Sequence, residues 1–259
     1  HLPGLSAWGR VANLRESHIK QKLNVDIYLD SELNGAAILE FGFEHVCLAT
    51  GSGWRRDGVS RQHVVPMSIR ESAKVFTSDD IMSGTLPSGH VVIYEDDHYY
   101  MGGVLAELLV SEGCQVTFVT PSAYVSDWTV NTLEQHVIHR RLVELGVKIV
   151  LNRGVTAIAE DHVISNCVFT DTTERFECDA VLMVASKMEN NGLYLDLKAQ
   201  EAEWTQVSIK SVKLIGDANA PGPIAWATYA GHRYARKLDE PDLGDAIPFR
   251  REITELAID

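Results

Sequence analysis

The chain has 259 residues, 45% of them apolar and 23% charged, which is the balance of an ordinary globular protein. Its 23 basic and 36 acidic side chains leave a net charge of −13. Such a surface repels phosphate backbones and anionic lipid, so neither nucleic acid nor a membrane is expected as a partner. No apolar run approaches the ~20 residues that span a bilayer, and no signal peptide is recognised.

The opening string HLPGLSAW has no initiator methionine and leads straight into a loop and helix. The chain is therefore expected to be a piece of a longer protein. A helix is predicted from Arg10 to Lys22, with Val11, Leu14, Ile19 and Leu23 roughly on one face. A strand is predicted from Val25 to Leu29, then a short amphipathic segment, NGAAILEFG, and a strand in HVCLATGS. The stretch Gly53 to Arg61 is polar and turn-rich. Residues 78–89 read as a short helix followed by a Pro/Gly/Ser connection, a plausible domain boundary.

A strand–loop–helix–strand unit fills residues 90–119. The next helix is predicted over Val130 to Leu145 and stops at Gly146. VKIVLN is a buried strand. GVTAIAEDHVISNCVF and ERFECDAVLMVAS read as antiparallel hairpin strands returning to a sheet edge. A last buried strand, VKLIGD, runs into a loop and a long helix, ANAPGPIAWATYAGHRYARKLDE. Units of βα with a meander inserted predict a doubly wound α/β architecture, in which ligands sit beyond the carboxyl ends of the strands. Three strand ends are therefore candidate sites: Ala49-Thr50-Gly51, Glu95-Asp96-Asp97 and Gly216-Asp217.

Gly51 closes a strand and lets a ligand approach the backbone closely. Asp217, between a strand and a helix, either accepts hydrogen bonds from a ribose or ribitol or caps the helix after it. Together, Ala-Thr-Gly after one strand and Gly-Asp before the last helix, separated by a dinucleotide-like unit, resemble the two-dinucleotide-binding-domain flavoproteins of the glutathione reductase type. The strings ATGSGWRRDG, LIGDANAP, ATYAGHRYARKLDE and LPGLSAW narrow the resemblance to the C-terminal region of the trimethylamine dehydrogenase-like family, which includes dimethylamine, histamine and dimethylglycine-type enzymes. It covers nearly the whole chain.

The resemblance implies two interleaved Rossmann-like domains of the FAD/NAD(P)-binding type, the first one incomplete. Residues 1–85 would form part of an FAD/ADP-binding-like domain, 86–189 an inserted NAD(P)-binding-like domain, and 190–259 the return to the first. It further implies an oxidoreductase that breaks a small amine's C–N bond in a missing N-terminal barrel carrying FMN and a [4Fe–4S] cluster. Electrons would pass to an electron-transferring flavoprotein. ADP or FAD would bind the intact first domain near Ala49, Thr50, Gly51, Gly216 and Asp217, with Trp54 in support. Binding in the fragment is expected to be weak or absent, because the first glycine-rich loop would lie upstream of His1. No residue of this chain is expected to be catalytic and none to bind metal. A homo-oligomer is compatible with the sequence.

In pyridine-nucleotide-using members of the wider family, the unit at 90–119 binds NAD(P)H. Here its loop reads EDDHYYMGG, and Glu95, Asp96 and Asp97 would face the pyrophosphate like-on-like. Each such pair costs on the order of several kcal/mol at ~4 Å and an effective dielectric near 20. Tyr99 and Tyr100 would fill the dinucleotide's space, and Thr120 to Ala123 offers no acid for a ribose diol. NAD(P)H is therefore not expected. A reductase of the 2,4-dienoyl-CoA reductase type, which uses that site, is the alternative enzyme, and a non-catalytic degenerate nucleotide-binding module is the other alternative.

The bland readings of the remaining features are stated for test. The acids of EDDHYY are solvated instead of holding a metal. His136 and His139 are partly exposed surface residues. Trp226 and Tyr229 pack instead of stacking on a cofactor. Cys47 and Cys114 are small buried thiols; with Cys167 and Cys178 they never form Cys-x-x-Cys, which fits a reducing cytoplasm.

Overall fold

A computed structural model describes residues 2–238, so His1 and residues 239–259, which include the tail of the predicted last helix and of the 190–259 segment, lie outside the description. Helix α1 (Gly9–Lys20) and helix α2 (Gly35–Phe41) precede strands β1 (His45–Leu48), β2 (Ser52–Trp54), β3 (Ser68–Ile69) and β4 (Val75–Thr77). Helix α3 (Ser78–Met82), strand β5 (His90–Glu95), helix α4 (Met101–Ser111) and strand β6 (Gln115–Val119) follow. Then come helix α5 (Gln135–Glu144) and strands β7 (Lys148–Val150), β8 (Arg153–Ile158), β9 (His162–Cys167), β10 (Thr173–Glu177), β11 (Ala180–Val184) and β12 (Lys187–Glu189). Helix α6 (Gly192–Ala199), strand β13 (Ser211–Leu214) and helix α7 (Ile224–Arg236) complete the described chain.

Five strands form a sheet in the order β4-β11-β5-β6-β7, every neighbouring pair parallel. A parallel sheet must be covered on both faces, and its strands accordingly read as unbroken apolar runs. Val91, Val92, Ile93 and Tyr94 of β5 are all fully buried, and the pleat divides them. Val91 and Ile93 join the layer of α4 and α5, packing with Leu105, Leu109, Phe118 and Leu142. Val92 and Tyr94 face the other way, toward Val155, Val163 and Phe176 of the antiparallel meander β8-β9-β10. Helix α4 buries Gly102, Leu105, Ala106 and Leu109, the spacing of one helical face. Fully burying each of the two leucines is worth about 1.5–3 kcal/mol.

A third cluster, Ile38, Leu39, Leu48, Leu197, Trp204, Ile209 and Val212, surrounds the short parallel pair β1-β13. Strand β2 pairs antiparallel with β12 as a ribbon beside the large sheet. The result is an α/β fold with parallel sheets, as the alternation of βα units implied.

Three local expectations are corrected, while the helix read over Arg10 to Lys22 is present as α1. Val25–Leu29 is not a strand: it is irregular and exposed, because no strand among the described residues pairs with it. The apolar face of α1 is uncovered, Leu14 standing 56% exposed. The helix expected from Val130 begins only at Gln135, after Leu133 takes a left-handed backbone (φ 62) that no helix can propagate. ERFECDAVLMVAS is not one hairpin strand but two, since β10 ends the meander and β11 crosses to the centre of the parallel sheet between β4 and β5. Strands β3 and β4 hydrogen-bond to β8 and β11, so residues 68–77 share the sheets of the 86–189 segment.

Candidate functional site at the adjoining strand ends

The register of β1 against β13 sets Leu48 opposite Leu214, and the Ile215 amide donates to the Leu48 carbonyl at 2.9 Å. Ala49-Thr50-Gly51 and Gly216-Asp217, 165 residues apart, therefore emerge side by side from one sheet edge. Both glycines adopt left-handed backbones, φ 77 at Gly51 and φ 59 at Gly216, which L side chains resist. A Cβ at Gly51 would meet no heavy atom within 4 Å, so that turn faces open space. A ligand backbone or sugar could lie against it.

Asp217 is held but not hidden. Its Oδ2 accepts from Ser52 Oγ at 3.1 Å and lies 3.6 Å from Lys187 Nζ, while Oδ1 accepts from the Gly222 amide at 3.3 Å. It is thus tied to the loop before α7 and does not cap the helix itself, whose N-cap is Pro223. Its side chain keeps 26% of its surface exposed, enough to present a carboxylate to a diol. Thr50 is turned differently: its Oγ1 donates to the Asn190 carbonyl at 2.5 Å and its own carbonyl accepts from Asn190 Nδ2 at 3.3 Å. That side chain braces the junction with β12 and leaves only its backbone for a ligand. Trp54 donates its amide to Asp79 Oδ2 at 2.7 Å, and Lys187 stands over its ring at 5.2 Å. Trp54 also lines a groove of about 350 Å³ with Ser52, Gly53, Arg55, Met188 and Asn190. The rest of WRRDG is structural. Arg55 forms a bidentate pair with Asp57 at 3.0 and 2.6 Å, which with the Val59 amide holds the Asp57 carboxyl below its usual range against the cost of burial.

The structure adds Ser52, Lys187 and Asn190 to the residues read from sequence. Lys187 and Asn190 follow β11 at the carboxyl edge of the parallel sheet, a place that sequence alone could have marked. Ser52 meets Asp217 only through the β1-β13 register.

The acidic loop is not solvated. Glu95 is fully buried and Asp96 is 1% exposed. His98, in a left-handed conformation (φ 67), lies between them. Its Nε2 is 3.0 Å from Asp96 Oδ1 and its Nδ1 is 3.6 Å from Glu95 Oε2. Burial alone would lower the His98 pKa, but the two carboxyl groups reverse this and raise it to about 9. Asp96 accepts from the Gln62 amide at 2.7 Å, and with His98 and Ser60 this overcomes its burial and keeps its pKa low. Burial and the neighbouring Glu95 push Asp97 up to about 6, against Lys187, Arg61 and His98. No group of three metal-ligating side chains gathers among the described residues.

Tyr99 packs on Trp128 with centroids 4.9 Å apart, and Tyr100 bonds to Thr132 at 3.0 Å, so both rings fasten the loop to residues 127–134. Asp127, missed in the sequence, reaches the second strand end and accepts from Ser122 Oγ at 2.5 Å. Trp226 and Tyr229 are 60% and 67% exposed, so the packing expected of them is not made within the described chain. Cys114 and Cys178 are buried, but Cys47 is exposed, which corrects the buried thiol expected there. His136 is exposed and His139 half-buried, as surface residues. No helix among the described residues is long and apolar enough to cross a membrane.

Residues 76–187 match the family described as the OYE-like second alpha/beta domain. The chain is 28% identical over 277 residues to dimethylamine dehydrogenase of Hyphomicrobium sp. (strain x), covering 97% of this chain and 38% of that protein. Histamine dehydrogenase from Rhizobium sp. 4-9 is 60% identical with a TM-score of 0.94, over 98% of this chain and 40% of its own. The 6-hydroxypseudooxynicotine amine oxidase of Pseudomonas geniculata N1 is 36% identical with a TM-score of 0.84, over 90% of this chain and 34% of its own. The chain thus spans about two fifths of the length of these relatives or less.

Proposed function

From its homology to dimethylamine dehydrogenase and histamine dehydrogenase, of the trimethylamine dehydrogenase-like family, we propose that this chain is the nucleotide-binding C-terminal part of an amine-oxidising flavoprotein. The whole protein oxidises a small amine at its C–N bond and passes the electrons to an electron-transferring flavoprotein. FMN and a [4Fe–4S] cluster, carried by a barrel outside this chain, do that chemistry. No residue of this chain is catalytic. The cysteine pattern favours the cytoplasm.

Within the chain we propose two interleaved Rossmann-like units, 1–85 with 190–259 and the inserted 86–189, with β3 and β4 reaching across. The first holds ADP, or FAD, against Ala49, Thr50 and Gly51 on one side and Gly216 and Asp217 on the other, with Trp54 nearby. The observation that carries this is the β1-β13 register, which brings two left-handed glycines and a partly exposed carboxylate to one edge. That edge fits a ribose hydroxyl pair. Bound there, ADP would supply no redox chemistry. The buried Glu95 and Asp96 do not fit a dinucleotide pyrophosphate, and no step through NAD(P)H is derived.

The test is the full-length protein supplied in turn with dimethylamine, histamine and NADH, its flavin absorbance followed without oxygen, and its denatured supernatant assayed for ADP. Bleaching by an amine, none by NADH, and ADP in the supernatant are expected. Bleaching by NADH but not by amines would instead support the dienoyl-CoA reductase type.

A further inference from the structure

On the face of the parallel sheet turned away from α4, Tyr94 of β5 is fully buried toward the meander. Its hydroxyl has no hydrogen-bond partner of ordinary geometry among the described residues. Ser60 stands close enough to act on it, but burial prevails and pushes the Tyr94 pKa up, so the phenol keeps its proton. A second polar atom nearby is orphaned too. His63 Nε2 is buried without a partner, although the His63 amide donates to Ser60 Oγ at 3.2 Å and its carbonyl accepts from the Ser60 amide at 2.7 Å. Both atoms lie beside Gly154, which is buried in β8. A Cβ on Gly154 would stand 3.6 Å from His63 Nε2, 3.8 Å from Tyr94 Oη and 3.3 Å from Gln62 Cγ. The Gly154 backbone is not left-handed, so its conformation does not call for glycine. A glycine inside a strand weakens it relative to alanine and often marks a place where another group comes close. What the glycine supplies here is room beside two orphaned polar atoms.

We propose that this room is the site of an internal water, held between Tyr94 Oη and His63 Nε2 and covered by Gly154. Buried polar groups are almost always paired, and where protein atoms do not meet, a water with several polar partners joins them. The protonated phenol donates to the water, and the water donates to His63 Nε2 when the ring proton is on Nδ1. A neutral ligand is the one that fits. The Asp96 charge already reaches Tyr94 and repels an anion, while one phenol and one imidazole give a hard cation too few oxygens. The bridge fastens the turn at residues 60–63 to β5 and β8. That turn in turn supplies the Gln62 amide to Asp96 Oδ2 at 2.7 Å and the Arg61 guanidinium to the Asp97 carbonyl at 3.4 Å. The water is therefore an outer support of the buried His98 cluster. None of these atoms lies at the β1-β13 edge, so the inference does not depend on the amine reading.

The experiment uses the full-length protein and turns on a sign. Were the space dry, Gly154→Ala would replace a strand glycine by a better strand residue, and the thermal midpoint would rise. With the water bound, the new methyl displaces it and strands two buried polar atoms, so the midpoint is expected to fall by about 2–4 °C. Crowding against the Gln62 side chain would also lower it. The substitution is therefore repeated in a Gln62→Ala background, which keeps the backbone amide that serves Asp96. A fall that persists there, and that shrinks in a Tyr94→Phe background, supports the water. A rise, a fall that vanishes with Gln62→Ala, or one untouched by Tyr94→Phe overturns it. Should Gly154→Ala not fold, a crystal structure of the wild-type protein decides. A water within about 3.2 Å of both atoms is expected, and a direct contact between Tyr94 Oη and His63 Nε2 would overturn the proposal.

Discussion

The Lys187 ammonium stands 3.6 Å from the Asp217 carboxylate and 5.2 Å from the centre of the Trp54 ring. One side chain at the end of β11's connection thereby touches both halves of the proposed nucleotide edge. Asp217→Ala removes a carboxylate that would accept from a ribose, and hydrogen bonds to charged groups are worth about 1.5–3 kcal/mol. The full-length protein is expected to lose ADP affinity about 10- to 100-fold, while Asp217→Glu recovers part of it. Titration calorimetry checks this, and unaltered affinity in Asp217→Ala would remove Asp217 from the site.

Gly51 and Gly58 both have left-handed backbones, φ 77 and φ 79, but differ in their surroundings. A Cβ at Gly51 meets nothing, whereas one at Gly58 would stand 2.2 Å from the Met67 methyl carbon. Gly51→Ala is expected to cost only the conformational strain, about 1–2 kcal/mol. Gly58→Ala should cost more, because Met67 must also move. Denaturant midpoints of the two variants measure the difference, and equal losses would show that Met67 yields freely.

The His98 ion cluster makes stability depend on pH. Its folded pKa of about 9 exceeds the ordinary 6.5, so its contribution is complete below pH 6.5 and is lost as pH rises through 9. Glu95 and Asp96 face it directly and Asp97 stands nearby, itself opposed by Lys187 and Arg61. Asp97, raised to about 6, adds a loss of the same sign as pH rises from about 4 to 6. Asp96, whose pKa is lowered, acts oppositely: its contribution is present above pH 4 and disappears on acidification. Wild type is expected to exceed His98→Asn by up to about 3 kcal/mol near pH 6.5 and to lose that margin by pH 10. Asparagine tolerates the left-handed backbone, so the variant isolates the charge. A margin that does not change with pH would assign His98 a packing role alone.

Phe118, fully buried on β6, packs in the helix-side layer and its ring edge lies 3.2 Å from the position of a Gly102 Cβ. Phe118→Ala is expected to destabilise the fold by about 3–5 kcal/mol and to loosen Glu95 against α4. Hydrogen exchange of the Glu95–Gly103 amides reads the second effect. Unchanged protection there would show that Glu95 is seated by the loop alone.

Local pattern determined much of this protein in advance. The run Val91–Tyr94, the apolar face of α4 and the meander around residues 153–177 are set by periods of two and 3.6 residues, which neighbours in sequence carry. The same is true of Ala49-Thr50-Gly51 and Gly216-Asp217, since a glycine that ends a strand marks a turn. Tertiary structure decided what those marks mean together. Only the Leu48–Leu214 register makes Ser52 a partner of Asp217. Only the place of β11 between β4 and β5 puts the Val184 carbonyl under Asp96 and Asp97. The acids of EDDHYY look solvated in sequence because a charged run normally is. They are buried because His98, three residues from Glu95, folds back between them, and because Gly102 leaves room across the helix. Val25–Leu29 has the residues of a strand and forms none among the described residues, since a strand exists only where a second one pairs with it. Burial and pairing are properties of neighbours in space, and a sequence records only neighbours along the chain.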